Sequence, residues 1–200
     1  MKILCLYNND IALELFDWIR SNGHETIMWR DRLEADWCFK HEFDLTVSYT
    51  YRYIVKEDVL KALQYNAVNI HNAYLPFNRG ADPNLWSILD NTPRGVTLHY
   101  MNEGLDKGGI ISQVLLDCVD DNESLKTTYS QLDREAKELF KKSFPYYGYW
   151  QKMTKEVCGK GSYHKSSDGD EIRAEIETYG GYGITIKDLK LVYAKLLGNK

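Results

Sequence analysis

The sequence predicts an α/β protein built on a doubly wound, mostly parallel sheet, with a small C-terminal tail region. Three observations carry that expectation. Short apolar runs alternate with segments whose apolar residues recur at helical spacing, strand then helix, from Lys2 to Ile70. The first run, Lys2 to Tyr7, is continuous rather than alternating, as a strand covered on both faces requires. Polar residues able to do chemistry gather where the runs end, the edge at which such sheets hold ligands.

Taken in order, the Lys2–Tyr7 strand stops at Asn8-Asn9-Asp10 and feeds a helix from Asp10 to Arg20. Its stripe is Ile11, Leu15 and Ile19, with Leu13 and Phe16 beside them, and Asn22-Gly23 ends it. A second strand runs from about His24 to Trp29. Residues Arg30 to His41 carry Leu33, Trp37 and Cys38 at helical spacing, and Phe43 to Ser48 returns to a strand. The loop Ser48 to Tyr53 leaves that third strand. Lys56 to Tyr65 forms the next helix on Val59, Leu60 and Leu63, and a strand from Asn66 to Ile70 closes the pattern.

Beyond Pro83, Asn84 to Leu89 reads as a short helix, and Gly95 to Met101 and Ile110 to Cys118 as strands, with Asp106 in the turn between them. Ser124 to Lys142 is an amphipathic helix on Leu125, Tyr129, Leu132, Ala136 and Leu139, opened by Asp-Asn-Glu-Ser. From Phe144 onward Tyr and Gly are frequent and the periodicity weakens, apart from a final helix near Ile186 to Leu197. The expected division is therefore 1–143 as the main domain and 144–200 as a small C-terminal region serving dimerisation or substrate contact.

Composition narrows the function classes. A chain of 200 residues buries one good core. A net charge of −4 disfavours a protein that grips nucleic acid through many phosphates, which takes clustered Lys and Arg. Cys5, Cys38, Cys118 and Cys158 form no C-x-x-C pair, so reduced structural thiols are expected and no metal site. The N-terminal apolar run is too short for a signal-peptide core and no run approaches a membrane span, which makes cytoplasm the expected setting and no membrane the expected partner. The first strand lacks a following G-x-G-x-x-G, so a dinucleotide oxidoreductase has no physical basis.

The informative stretch runs from Asn69 to Gln113. Asn69 and His71, two residues apart on a strand end, leave the same face of an extended chain. Asp106 arrives in a Gly-flanked loop. An amide, an imidazole and a carboxylate that converge are the parts acyl transfer needs: a donor for the oxyanion, a proton shuttle, and a group that orients and charges the shuttle. His99 reads equally as a packed histidine.

The ordered motifs are Asn69-Ile-His71, then Tyr74-Leu-Pro76 and Arg79-Gly80, then Gly95-Val-Thr-Leu-His99-Tyr-Met101, then Gly104-Leu-Asp106-Lys-Gly108. In these the chain resembles the folate-dependent formyltransferases, whose Rossmann-like catalytic domain agrees with the predicted fold. The resemblance implies Asn69, His71 and Asp106 as the catalytic trio and N10-formyltetrahydrofolate as the co-substrate. It implies folate contacts from Tyr51, Arg52, Tyr53 and Ile54, the alternative being a solvated loop over packed tyrosines, and from Met101 and Glu103. Where glycinamide-ribonucleotide members carry a glycine-rich loop after the first strand, this chain has Tyr7-Asn8-Asn9-Asp10. The run Tyr74 to Trp86, with Gly161-Ser-Tyr163-His164, is most similar to the nucleotide-sugar N-formyltransferases of surface-polysaccharide (O-antigen) synthesis.

That likeness implies a nucleotide-linked amino sugar as acceptor, for example dTDP-4-amino-4,6-dideoxyglucose, with Tyr74, Asn78, Arg79 and Asn84 at the substrate. The guanidinium of Arg79 suits pyrophosphate oxygens, or else pairs with Asp82. Trp86 reads as core rather than as a sugar platform. Members of this kind commonly form homodimers through a C-terminal part that is short here. The alternatives are a methionyl-tRNA formyltransferase, whose usual basic C-terminal barrel the mildly acidic tail does not match, and a non-catalytic folate-binding module.

Overall fold

In a computed structural model that describes residues 1–198, the strands are β1 (Lys2–Leu6), β2 (Glu25–Trp29), β3 (Leu45–Tyr49), β4 (Ala67–His71), β5 (Arg79–Gly80), β6 (Gly95–Tyr100), β7 (Ile110–Leu115) and β8 (Tyr163–His164). The helices are α1 (Leu13–Ser21), α2 (Ala35–His41), α3 (Glu57–Ala62), α4 (Pro83–Leu89), α5 (Leu125–Ser143), α6 (Trp150–Met153), α7 (Asp170–Thr178) and α8 (Ile186–Gly198). The expected doubly wound α/β sheet is present. Its strand order is β2-β1-β3-β4-β6-β7, with β1 parallel to β2 and β3, β3 parallel to β4, and β6 antiparallel to β4. β5 and β8 form a separate parallel pair.

Element boundaries depart from the periodicity for local reasons. The first helix opens with a 3-10 turn at Asp10–Ala12, because the Asn9 side chain accepts from the Ile11 N–H and holds the chain tight before α1 begins. Of Arg30 to His41 only α2 is helical, since Glu34 is extended and the Asp31 carbonyl is engaged by the Tyr51 hydroxyl. The tail is more regular than its composition implied. α7 escapes the periodicity because only Ile172 and Ile176 are buried in it, a stripe two residues long.

The chain divides into two compact units. The first is Met1–His71, Thr97–Gln113 and Ala136–Val157; the second is Asn72–Val96, Val114–Glu135 and the residues from Cys158 onward. The expected boundary at 143/144 falls inside the last segment of the first unit. In the first unit, Leu4, Leu6, Val59, Leu60, Leu63 and Ala67 form an apolar cluster against which Tyr51 and Met101 pack. In the second, Leu85, Ile88, Leu125, Ile172, Ile176, Ile184, Ile186, Leu189 and Val192 form a core of their own. Cys5 and Cys38 are buried free thiols, and burial pushes Cys5 up to about 12 and Cys38 to about 11. Among the described residues no helix is long and apolar enough to cross a membrane.

Candidate active site

Strand β4 fixes the first two groups. Its side chains alternate, so Asn69 and His71 leave one face together, as their spacing predicts. The antiparallel register then sets His99 of β6 directly opposite Asn69. Asp106 comes from the loop between β6 and β7, where it adopts a left-handed backbone, φ 51°, that Asp tolerates better than most residues. The loop closes tightly: a Cβ on Gly108 would lie 1.7 Å from the Tyr100 carbonyl oxygen, so only glycine fits there.

These four side chains converge. His71 Nε2 lies 3.6 Å from Asp106 Oδ2, and His99 Nε2 lies 3.5 Å from Asp106 Oδ1. Asn69 Nδ2 donates to Asp106 Oδ1 at 3.5 Å and sits 3.4 Å from His99 Nε2. His71, His99 and Asp106 are buried, so the attraction of carboxylate for imidazole acts with little screening by water. The contacts, 3.4–3.6 Å, are longer than tight hydrogen bonds.

The tautomer of His99 follows from its other nitrogen. Nδ1 lies 2.8 Å from the Tyr100 carbonyl oxygen, which only accepts, so Nδ1 carries a proton. When His99 is neutral, Nε2 is an acceptor and takes one amide hydrogen of Asn69 while Asp106 takes the other. When it is an imidazolium, Nε2 donates to Asp106 and frees an amide hydrogen of Asn69. His99 is the member that sequence reasoning left undecided; the signal was in the strand pairing, which no local motif encodes.

The expected folate residues also fall in the first unit. β1 crosses to β2 on one side and the chain returns to β3 on the other, so the loops after β1 and β3 meet at the switch point of the winding. They are tied: the Asn8 N–H donates to the Thr50 carbonyl at 3.2 Å, and the Arg52 N–H to Asn8 Oδ1 at 2.9 Å. Tyr51 and Tyr53 meet edge to face at 5.5 Å, Arg32 and Arg52 lie over the Tyr53 ring, and burial pushes the Tyr51 phenol up to about 12. Ile54 is 70% exposed and Glu103 is exposed. Aromatic faces, pinned backbone and an open apolar side chain suit a flat, hydrogen-bonding ring such as a pterin. Among the described residues no cluster of three or more His, Cys, Asp or Glu is placed to hold a metal ion.

The four expected substrate residues lie in the second unit, and the structure treats them differently. Asn78 is fully buried, with Nδ2 donating to Thr92 Oγ1 and its backbone N–H to Ser162 Oγ, both at 2.8 Å. Asn84 is buried too, donating to the Leu125 carbonyl and to Thr128 Oγ1. Both are expected at the substrate; Asn78 is tied internally through its backbone N–H and Nδ2, and Asn84 through Nδ2, while Asn84 Oδ1 is buried with no hydrogen-bond partner among the described residues. Tyr74 packs beside Gly95. Arg79 is half-buried on β5, its Nε donating to the Ser162 carbonyl at 3.5 Å. Asp82 pairs with Arg173 rather than Arg79. Trp86 is buried under the His164 ring, stacked at 4.0 Å, in line with a core role.

Comparison with known proteins bears on the family and the fold. A formyl transferase domain is matched over residues 30–143. The formyltransferase PseJ from Anoxybacillus kamchatkensis, solved with UDP-4,6-dideoxy-4-formamido-L-AltNAc and tetrahydrofolate, shares 34% identity at a TM-score of 0.83, covering 94% of this chain and 97% of that one. A bifunctional polymyxin resistance protein ArnA from Wigglesworthia glossinidia brevipalpis is 32% identical over 111 residues, 55% of this chain and 17% of that protein. A methionyl-tRNA formyltransferase from Staphylococcus epidermidis is 32% identical over 117 residues, 58% of this chain and 37% of that protein. The chain thus matches well under half the length of these two curated relatives.

Proposed function

This chain belongs to the formyl transferase family, and we propose that it transfers a formyl group from N10-formyltetrahydrofolate to the amine of a nucleotide-linked amino sugar. The observation that carries this reading is the convergence of Asn69, His71 and Asp106, each contact within 3.6 Å, on one strand end and the loop that faces it. Similarity to PseJ over almost its whole length supports the acceptor class. It favours a UDP-linked 4-amino sugar over the dTDP-linked sugar that the sequence suggested.

The folate supplies the formyl carbon, at the switch-point loops where Tyr51, Arg52, Tyr53 and Ile54 would hold its ring with Met101 and Glu103 alongside. As the acceptor amine bonds to that carbon and the carbon–N10 bond breaks, one proton must pass from amine to N10. His71 takes that proton from the amine and delivers it to N10. Asp106, beside His71 Nε2, stabilises the imidazolium formed on the way and fixes the ring's orientation. Asn69 Nδ2 donates to the formyl oxygen as it gains charge.

The test is mass spectrometry of UDP- and dTDP-linked 4-amino sugars after incubation with the folate donor, wild type beside His71→Ala. A gain of one formyl group with wild type alone is expected. Formylation of charged initiator tRNA and of no sugar would put the methionyl-tRNA reading in its place, and folate binding without turnover on any acceptor would leave a binding module. A homodimer and a cytoplasmic setting accompany this reading, the former checked by light scattering.

A further inference from the structure

The segment Gly161 to His164 has no role in the chemistry above, yet it is fastened to the chain around Arg79 with unusual care. The Asn78 N–H donates to Ser162 Oγ at 2.8 Å, and Ser162 Oγ donates to Asn78 Oδ1 at 3.2 Å. The next residue, Arg79, gives its backbone N–H to the Ser162 carbonyl at 3.1 Å and its Nε to the same oxygen. Asn78 holds a left-handed backbone, φ 53°, immediately before the arginine. A Cβ on Gly161 would fall 1.8 Å from the Pro76 carbonyl oxygen, so the two stretches touch backbone to backbone. At the far end His164 stacks on Trp86 and its Nε2 lies 2.8 Å from Asp90 Oδ2.

The effect is to spend Nε of Arg79 on the protein while its two terminal nitrogens meet no acceptor among the described residues. A guanidinium held at its root with its outer fork open is shaped for two oxygens of a phosphate group. Exposed Lys160 and Lys165 flank the segment in the chain. We propose that Ser162 is a positioning residue that orients Arg79 toward the diphosphate of the nucleotide-linked substrate, making the 161–164 segment a determinant of acceptor affinity. This rests on the nucleotide-sugar reading above.

Two measurements on the full chain test it. In steady-state assays Ser162→Ala raises KM for the nucleotide sugar about tenfold, leaves kcat and the folate KM within about twofold, and Ser162→Thr, which keeps the hydroxyl, restores most of the loss. In calorimetric titration with UDP alone, wild type binds and both Ser162→Ala and Arg79→Ala weaken binding about tenfold or more. Wild-type affinity for UDP in Ser162→Ala, no UDP binding by wild type, or a joint loss of kcat and both KM values would each overturn the proposal. The titration needs no turnover: weakened UDP binding in the variants, alongside failure to formylate any sugar, sinks the reaction reading and leaves the role of Ser162 and Arg79 standing.

Discussion

The Asn69–Asp106 cluster and the β5–β8 ladder solve the same problem, holding a polar side chain in a fixed pose, by different means. Asn69, His71, His99 and Asp106 lie within one span of chain and are placed by sheet register and a tight glycine loop. Arg79 is placed by a residue 83 positions away, through side-chain and backbone hydrogen bonds rather than through a large sheet. Register is set by many backbone bonds at once and resists single substitutions. A hydroxyl-and-amide network depends on each of its few members. The lesson is that the first region should fail in chemistry when mutated and the second in affinity or stability.

The largest effect expected from that contrast is in the cluster. His71→Ala should lower kcat by about a hundred- to ten-thousandfold, the usual worth of a general acid–base, with little change in Tm. Asn69→Ala should lower it by about a hundred- to a thousandfold as an oxyanion donor is lost. Single-turnover kinetics beside thermal melts checks both, and a large fall in Tm would break the comparison by showing that the cluster is structural.

In the second unit, Ile176→Ala empties a fully enclosed core position among Ile172, Leu189 and Val192, and should cost about 2–5 kcal/mol by denaturant titration while any activity that survives folding keeps its KM. Gly161→Ala should cost less, about 1–3 kcal/mol, because the backbone contact with Pro76 must open to admit the methyl group. If Gly161→Ala left both stability and UDP affinity untouched, the ladder would be less tightly built than its geometry says.

The smallest effect concerns pH. The hydrogen bond from Lys137, 2.6 Å away, holds the Glu14 carboxyl below its usual value despite some opposing desolvation. A depressed carboxylate contributes stability that is present above its unfolded value near 4.5 and lost as pH falls through the lower folded one. Glu14 is mostly exposed, so solvent screens the pair and the contribution is small. Glu14→Gln should therefore slightly flatten the fall of Tm between about pH 5 and pH 3.

Much of this was legible in the chain. A continuous apolar run marked β1 because a parallel strand is covered on both faces, and the two-residue spacing of Asn69 and His71 gave their shared face. Asp106 could be placed in its turn by the flanking glycines. His99 could not be assigned, because what puts it beside Asn69 is pairing between strands. The burial of Asn78 and Asn84 was hidden for a related reason: an amide looks available in the sequence until the fold shows what encloses it. Ser162 was invisible as a partner of Arg79, since nothing local distinguishes one serine in a Gly- and Tyr-rich tail from another.

The pairing of Asn69 with His99 makes the proposed active site subject to a reading frame. Side chains on β6 alternate, so a one-residue insertion between Gly95 and His99 would let the strand re-pair with β4 and keep its hydrogen bonds, yet bring Leu98 opposite Asn69 in place of the imidazole. Such a protein could fold and lack the cluster. Length in this strand is thus held as tightly as the identity of the residues on it.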